Sequence, residues 1–240
     1  LSTLMQALSQ NWDDLIQGLA QHMFLSLVAL LLGCVISVPL GIYLTRHERL
    51  ATPVITVVSV IQTIPSLALL GFMIPLLGIG TLPALIALTL YALLPIVRNT
   101  YTGIKEVDPA LIESGTGMGM TKRQILWMVE LPMARGIIIA GVRTSAVTTI
   151  GVATLATFIG AGGLGDIIMR GIDMIDTPTI LVGAIPAALL AIVFDVLLMW
   201  LDRRLTPRGL RVDAKASQSN KADIDARRLD EVQTRVNRGA

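Results

Sequence analysis

Residues 50–97 read LATPVITVVSVIQTIPSLALLGFMIPLLGIGTLPALIALTLYALLPIV, without one Asp, Glu, Lys or Arg. A single helix crosses the hydrocarbon core of a bilayer with about 20 apolar residues. The run is long enough for two spans with a turn near Gly78–Thr81 between them, so the protein is polytopic. Composition agrees. Of 240 residues, 53% are hydrophobic and 15% charged, against about 25% charged in a soluble domain, and mean hydropathy is +0.71. Continuous apolar runs without alternation exclude the strands of a membrane β-barrel. The expected fold class is all-α.

Outward from this stretch, five spans are expected, at about 22–44, 53–77, 80–101, 136–160 and 179–201. Pro39, Pro65, Pro95 and Pro186 fall inside them and predict kinks that neighbouring helices tolerate. The lone cysteine, Cys34, excludes an intramolecular disulfide. The chain begins with Leu1 rather than Met, which fits a processed or trimmed start, and its first long apolar run exceeds a signal-peptide core. Three parts are expected: a lead over 1–21, a transmembrane domain over 22–211, and a polar tail over 212–240.

Charge sets the orientation. Arg46 and Arg49 follow the first span, and Arg98, Lys105, Lys122, Arg123 and Arg135 surround the segment between the third and fourth. Ten more Lys and Arg follow from Arg203 onward. On the other side stand Asp13, Asp14, Asp166, Asp173 and Asp176 against Arg170 alone. Positive-inside places the N-terminus outside and the C-terminus in the cytoplasm, which an odd number of spans requires. The tail mixes Asp213, Asp223, Asp225, Asp230 and Glu231 with its cations. That balance speaks for a solvated cytoplasmic segment and against nucleic-acid binding.

The segment 106–132 then lies on the cytoplasmic side. Within it, residues 113–132 read ESGTGMGMTKRQILWMVELP. Asp108 and Pro109 suit the cap and first position of a helix. Gly115, Gly117 and Gly119 permit a bend and the close approach of another surface. Thr121 suits the cap of a second short helix, and Leu131-Pro132 is expected to end it and redirect the chain into the fourth span. Two short helices at an angle, with apolar Ile125, Leu126, Trp127 and Met128, make a cytoplasmic knob suited to docking a protein.

Glu113-Ser114-Gly115, three residues, Gly119, nine residues, then Val129-x-Leu131-Pro132 resembles the EAA loop, E-A-A-x3-G-x9-I-x-L-P, of permease subunits of bacterial type I ABC importers. Ser114 and Gly115 replace the two alanines and Val129 the isoleucine. The resemblance implies that Glu113, Ser114, Gly115, Gly119, Val129, Leu131 and Pro132 form a coupling element seated on an ATPase subunit. VIQTIPSLALLGFMIPLLGIGTLPALIALTLYALLPIVRNTYTGI and GVRTSAVTTIGVATLATFIGAGGLGDII are similar to permeases for glycine betaine, carnitine and choline. Methionine permeases share the five-span plan and a GAGGLG-like segment, and match less well around Gln62–Ser66 and Tyr91–Thr102. The resemblance covers most of 22–211. It implies an inner-membrane protein partnered by a second permease subunit, two ATP-binding subunits carrying ATP and Mg, an extracytoplasmic substrate-binding protein, and lipid.

Other motifs carry no chemistry of their own. Gly160-Ala-Gly162-Gly-Leu-Gly165 is literally GxGxxG, but a dinucleotide site needs a strand before it and a helix after it. Here it reads as an outer turn leading into a short interfacial helix over 166–172. GMGMTK fails the Walker spacing, so no cofactor is expected in this chain and ATP hydrolysis is expected in a partner. No metal-ligand set or nucleophile–base pair assembles, and the chain reads as no enzyme. Gln62, Thr63 and Ser66 are polar residues of the second span. They suit either the translocation path or interhelical hydrogen bonds. Arg143 and Asp195 lie at similar depth in the fourth and fifth spans. Such charges are costly in lipid, and they suit a solute or gating contact, a structural ion pair, or snorkelling to the cytoplasmic interface. An ion-coupled secondary transporter would want relay charges or an inverted repeat, and neither is evident. Trp12, Trp127 and Trp200 fall in the lead, the knob and an interface, which leaves too few aromatics in the spans for a quaternary-ammonium cage. Selection is therefore expected in the binding protein.

Overall fold

The computed structural model describes residues 2–205, and the predicted tail over 212–240 lies outside them. Every regular element among the described residues is helical. The chain runs α1 (Ser2–Gln10), α2 (Trp12–Arg46), α3 (Glu48–Thr63), α4 (Ser66–Leu77) and α5 (Thr81–Lys105). It continues through α6 (Pro109–Gly117), α7 (Lys122–Ile125), a π-helical turn (Leu126–Glu130) and α8 (Leu131–Ala153). A 3₁₀ turn (Thr154–Ile159), α9 (Leu164–Asp173) and α10 (Thr177–Leu205) complete it. By length and composition, four helices or helical runs could each cross a membrane, and the bent pair α3–α4 brings the number to five.

The centre is α5, flanked by α2 and α8. Small residues let the backbones approach. A Cβ on Gly33 would stand 2.8 Å from Ala92 Cβ, and one on Gly141 would stand 2.6 Å from the Pro95 carbonyl oxygen. Without a strong hydrophobic drive between helices in lipid, such close packing and interhelical hydrogen bonds carry association. The bonds are present: Ser145 Oγ donates to the Ala92 carbonyl at 3.1 Å, and Ser37 Oγ to the Leu93 carbonyl at 3.3 Å. His22, fully buried, places Nε2 3.1 Å from the Ile150 carbonyl oxygen.

The second span departs from expectation. One kinked helix over 53–77 was expected at Pro65, and the structure has two helices at 96°. Pro65 keeps Ile64 extended, at φ −66° and ψ 127°. Tyr91 on α5 donates its hydroxyl to the freed Ile64 carbonyl. The rest of α4 packs Leu69, Leu70 and Met73 against α5 and the 3₁₀ turn. The bend is thus set by tertiary contacts as much as by the proline. Pro39, Pro95 and Pro186 lie inside helices that continue past them.

Helix ends also differ. α2 begins at Trp12, ahead of the expected 22, with Asp13 and Asp14 in its first turn, where the helix dipole favours negative charge. The fourth span is not entered by a redirection at Leu131-Pro132. Lys122–Ile159 is one helical run, in which Pro132 closely follows the π-helical turn Leu126–Glu130. The short helix expected over 166–172 spans Leu164–Asp173.

Candidate functional site

At the end of the bundle where α5 stops, α6 and α7 form the knob. The Asp108 carboxylate accepts from the Ala110 N–H at 2.9 Å, and Pro109 opens α6. Thr121 and Gln124 close a capping box: the Gln124 N–H donates to Thr121 Oγ1 at 3.3 Å, and the Thr121 N–H to Gln124 Oε1 at 2.8 Å. Between the helices Gly119 takes φ +81°, a left-handed conformation, while the Met120 N–H bonds the Gly115 carbonyl at 3.0 Å. Gly115 is buried, and a Cβ there would meet Met120 Sδ at 3.2 Å.

The residues of the EAA-like pattern divide into two roles. Glu113, Ser114 and Gly119 are exposed on the knob, and Ser114 Oγ donates back to the Ala110 carbonyl at 2.7 Å. Val129 and Leu131 face inward and pack with Ile104, Val107 and Ala134. Pro132 is half-buried at the start of α8. Beside them stand Met118, Trp127 and Met128, exposed by 76%, 62% and 67%. These large apolar side chains stand exposed on the same segment as the exposed Lys122 and Arg123.

Sequence reasoning missed Glu130. The π-helical turn brings it inward, its side chain is only 3% exposed, and Arg46 from the end of α2 donates Nη2 to its carboxylate. π turns occur often at functional sites. The one available signal was isolation: Glu130 is the sole carboxylate between Glu113 and Asp166. A second ion pair, Lys105 with Glu48, joins α5 to α3 at the same end.

The candidates for a path fall into two groups on different contacts. Gln62 donates Nε2 to the Tyr91 carbonyl at 3.4 Å, beside the α3–α4 break. Thr63 bonds its own helix through the Val60 carbonyl at 2.7 Å, and Ser66 opens α4. Arg143 is elsewhere, on α8, in a two-pronged pair with Asp195 of α10: Nε to Oδ1 at 2.8 Å and Nη2 to Oδ2 at 2.9 Å. The pair borders an open groove of about 530 Å³.

At the opposite end the glycine-rich turn meets α2. Gly160, Gly162 and Gly163 have φ of 72°, 75° and 101°, and the Gly163 N–H donates to Gln21 Oε1 at 3.1 Å. The turn delivers α9, whose Arg170 reaches Asp14 at 2.6 Å and Asn11 at 3.3 Å. The segment is a helix–helix seam with no strand beside it among the described residues, so the dinucleotide reading lacks its βαβ setting.

A family described as "Binding-protein-dependent transport system inner membrane component" matches residues 37–208. The carnitine transport permease protein OpuCB of Listeria monocytogenes is 54% identical over 202 residues, 84% of this chain and 93% of the relative. The glycine betaine/carnitine/choline transport system permease protein OpuCB of Bacillus subtilis is 48% identical over 211 residues, 88% of this chain and 97% of the relative. Among solved structures, an inward-facing form of the MetNI methionine ABC transporter aligns with a TM-score of 0.75 at 25% identity, over 82% of this chain and 99% of that one. The all-helical bundle, its broken span and these likenesses agree: the chain belongs to the binding-protein-dependent transport system inner membrane components, as a multi-pass permease subunit of an ABC importer.

Proposed function

We propose that this subunit forms half of the path by which an ATP-driven importer takes up osmoprotectants: glycine betaine, carnitine or choline. The observation that carries the substrate class is the naming of relatives 54%, 48% and 49% identical, each for one or more of these solutes. Methionine is the solute of solved neighbours at 25% and 26% identity, about half that likeness.

In this reading the lead 1–21 is extracytoplasmic, 22–211 crosses the membrane five times, and 212–240 is a cytoplasmic tail. The basic end of the bundle, with Arg46, Lys105, Lys122 and Arg123, faces the cytoplasm. Loop 106–132 docks on an ATPase subunit, where Glu113, Ser114 and Gly119 present the surface and Val129, Leu131 and Pro132 fix it to α8. ATP and Mg act in that partner. A second permease subunit completes the path, since α8 leaves a face of mostly small residues uncovered. A binding protein docks at the α9 end.

The test is uptake by proteoliposomes holding this chain, its ATPase and its binding protein. ATP-dependent accumulation of glycine betaine, carnitine or choline is expected, without accumulation of methionine. Uptake of methionine alone would overturn the substrate class.

A further inference from the structure

The groove of about 530 Å³ is lined by Ala140, Arg143, Thr144, Val147, Thr148 and Asp195. We propose that it is a transient binding site for small zwitterions, in which Arg143 takes the carboxylate and Asp195 the quaternary ammonium. The inference rests on the osmoprotectant reading above and deepens it.

Three observations support the site. First, the groove does not look toward lipid. The exposed stripe of α8 runs Met133, Gly136, Ala140, Thr144, Val147, Gly151, with small residues or threonine at every position but Met133 and Val147. The exposed faces of α2 and α10 instead carry Phe24, Leu31 and Val35, and Leu189, Ile192 and Val196, as lipid contact demands.

Second, the ion pair is open to the groove: the side chains of Arg143 and Asp195 are 32% and 35% exposed. The pair engages Nε and Nη2 of Arg143. A guanidinium has five N–H donors, so the Nη1 edge can take a second carboxylate without releasing Asp195. Each Asp195 oxygen likewise keeps a lone pair for a cation.

Third, the residues lining the groove beside the pair offer little competing chemistry, though Asp202 also acts electrostatically on Arg143. Thr144 and Thr148 donate their hydroxyl protons to their own helix, at 3.1 and 2.9 Å. They offer the groove only acceptor lone pairs. No aromatic residue lines it, so the carboxylate is the one strong handle for a quaternary ammonium. A zwitterion laid head-to-tail on the pair adds no net charge to it. The volume lies within the range of small-molecule sites, roughly 300–1,000 Å³.

Choline has the ammonium and no carboxylate, which separates the two roles. In proteoliposomes with the complete importer, Arg143→Gln is expected to lower glycine betaine uptake about tenfold, the worth of one charge-assisted contact, and to lower choline uptake far less. Arg143→Lys keeps the charge and the pair but loses the free fork edge. It is expected to show the same selective loss, and it carries the test if the glutamine variant does not assemble. Equal losses for both solutes would reject the site and leave a structural pair, as would unchanged uptake of both. A wild-type importer that carries neither solute would instead reject the osmoprotectant reading on which the site rests.

Discussion

Arg46, in the last turn of α2, holds the carboxylate of Glu130, which the π-helical turn between α7 and α8 buries beneath the knob. The first span and the knob are thereby tied directly, without passing through α5. The two partners are unequal: the Arg46 side chain is 42% exposed and that of Glu130 3%. Removing the arginine strands a buried anion, whereas removing the acid leaves a cation that water can reach. Arg46→Met is therefore expected to cost more than Glu130→Gln, with water at the half-exposed arginine keeping its loss below the roughly 3–5 kcal/mol of a fully buried pair. Thermal unfolding of the purified subunit in detergent compares them, and equal losses would contradict the asymmetry of burial.

Gly119 stands at φ +81° with open space where a Cβ would point. Any penalty there comes from the backbone and not from crowding. Gly119→Val is expected to distort the turn between α6 and α7 and to reduce uptake per ATP hydrolysed. Gly119→Asn should retain most of it, because asparagine tolerates left-handed geometry. The measurement is transport and ATPase activity side by side. A valine variant as well coupled as the asparagine one would show that the turn geometry is irrelevant.

Trp127 and Met128 are exposed beside Lys122 and Arg123 and contribute little to the packing of this chain. Trp127→Ala should leave the melting temperature of the isolated subunit unchanged and weaken co-purification of the ATPase subunit. Interface aromatics of this kind commonly cost about 2 kcal/mol or more when truncated. Intact co-purification at dilute concentration would remove Trp127 from the contact.

The knob was legible because its signals are local. Asp108-Pro109 and Thr121-x-x-Gln124 fix their helices within a few residues, and both caps form. The spans were legible because twenty apolar residues have few alternatives in a bilayer. Glu130 was not, since its partner lies 84 residues away and the π turn that aims it has no sequence signature. The 96° break at Pro65 was half legible: proline disfavours the helical conformation at Ile64, but a proline alone does not suffice to break α2, α5 or α10, and Tyr91 and the 3₁₀ turn decide the angle. For Arg143 and Asp195, counting residues gave their common depth. Their rotation about α8 and α10 follows only from packing.

That rotation brings the two into a paired geometry with both prongs of the guanidinium engaged. Whatever solute role the pair has, it also has a structural one, and stability separates the two. Asp195→Leu alone leaves a guanidinium within a membrane span without its paired anion, and Arg143→Met alone leaves a carboxylate there without its paired cation. The double change Arg143→Met with Asp195→Leu leaves neither, and apolar pairs often replace ion pairs at little cost. Because each side chain is about a third exposed, at 32% and 35%, water and salt soften the single losses without removing them. Each single variant is expected to melt below the double, and the double close to the wild type. Melting curves of the four proteins at low and high salt give the answer, with the gap between single and double narrowing as salt rises. Single losses that simply add in the double would mean the two side chains stabilise the fold independently, through other neighbours.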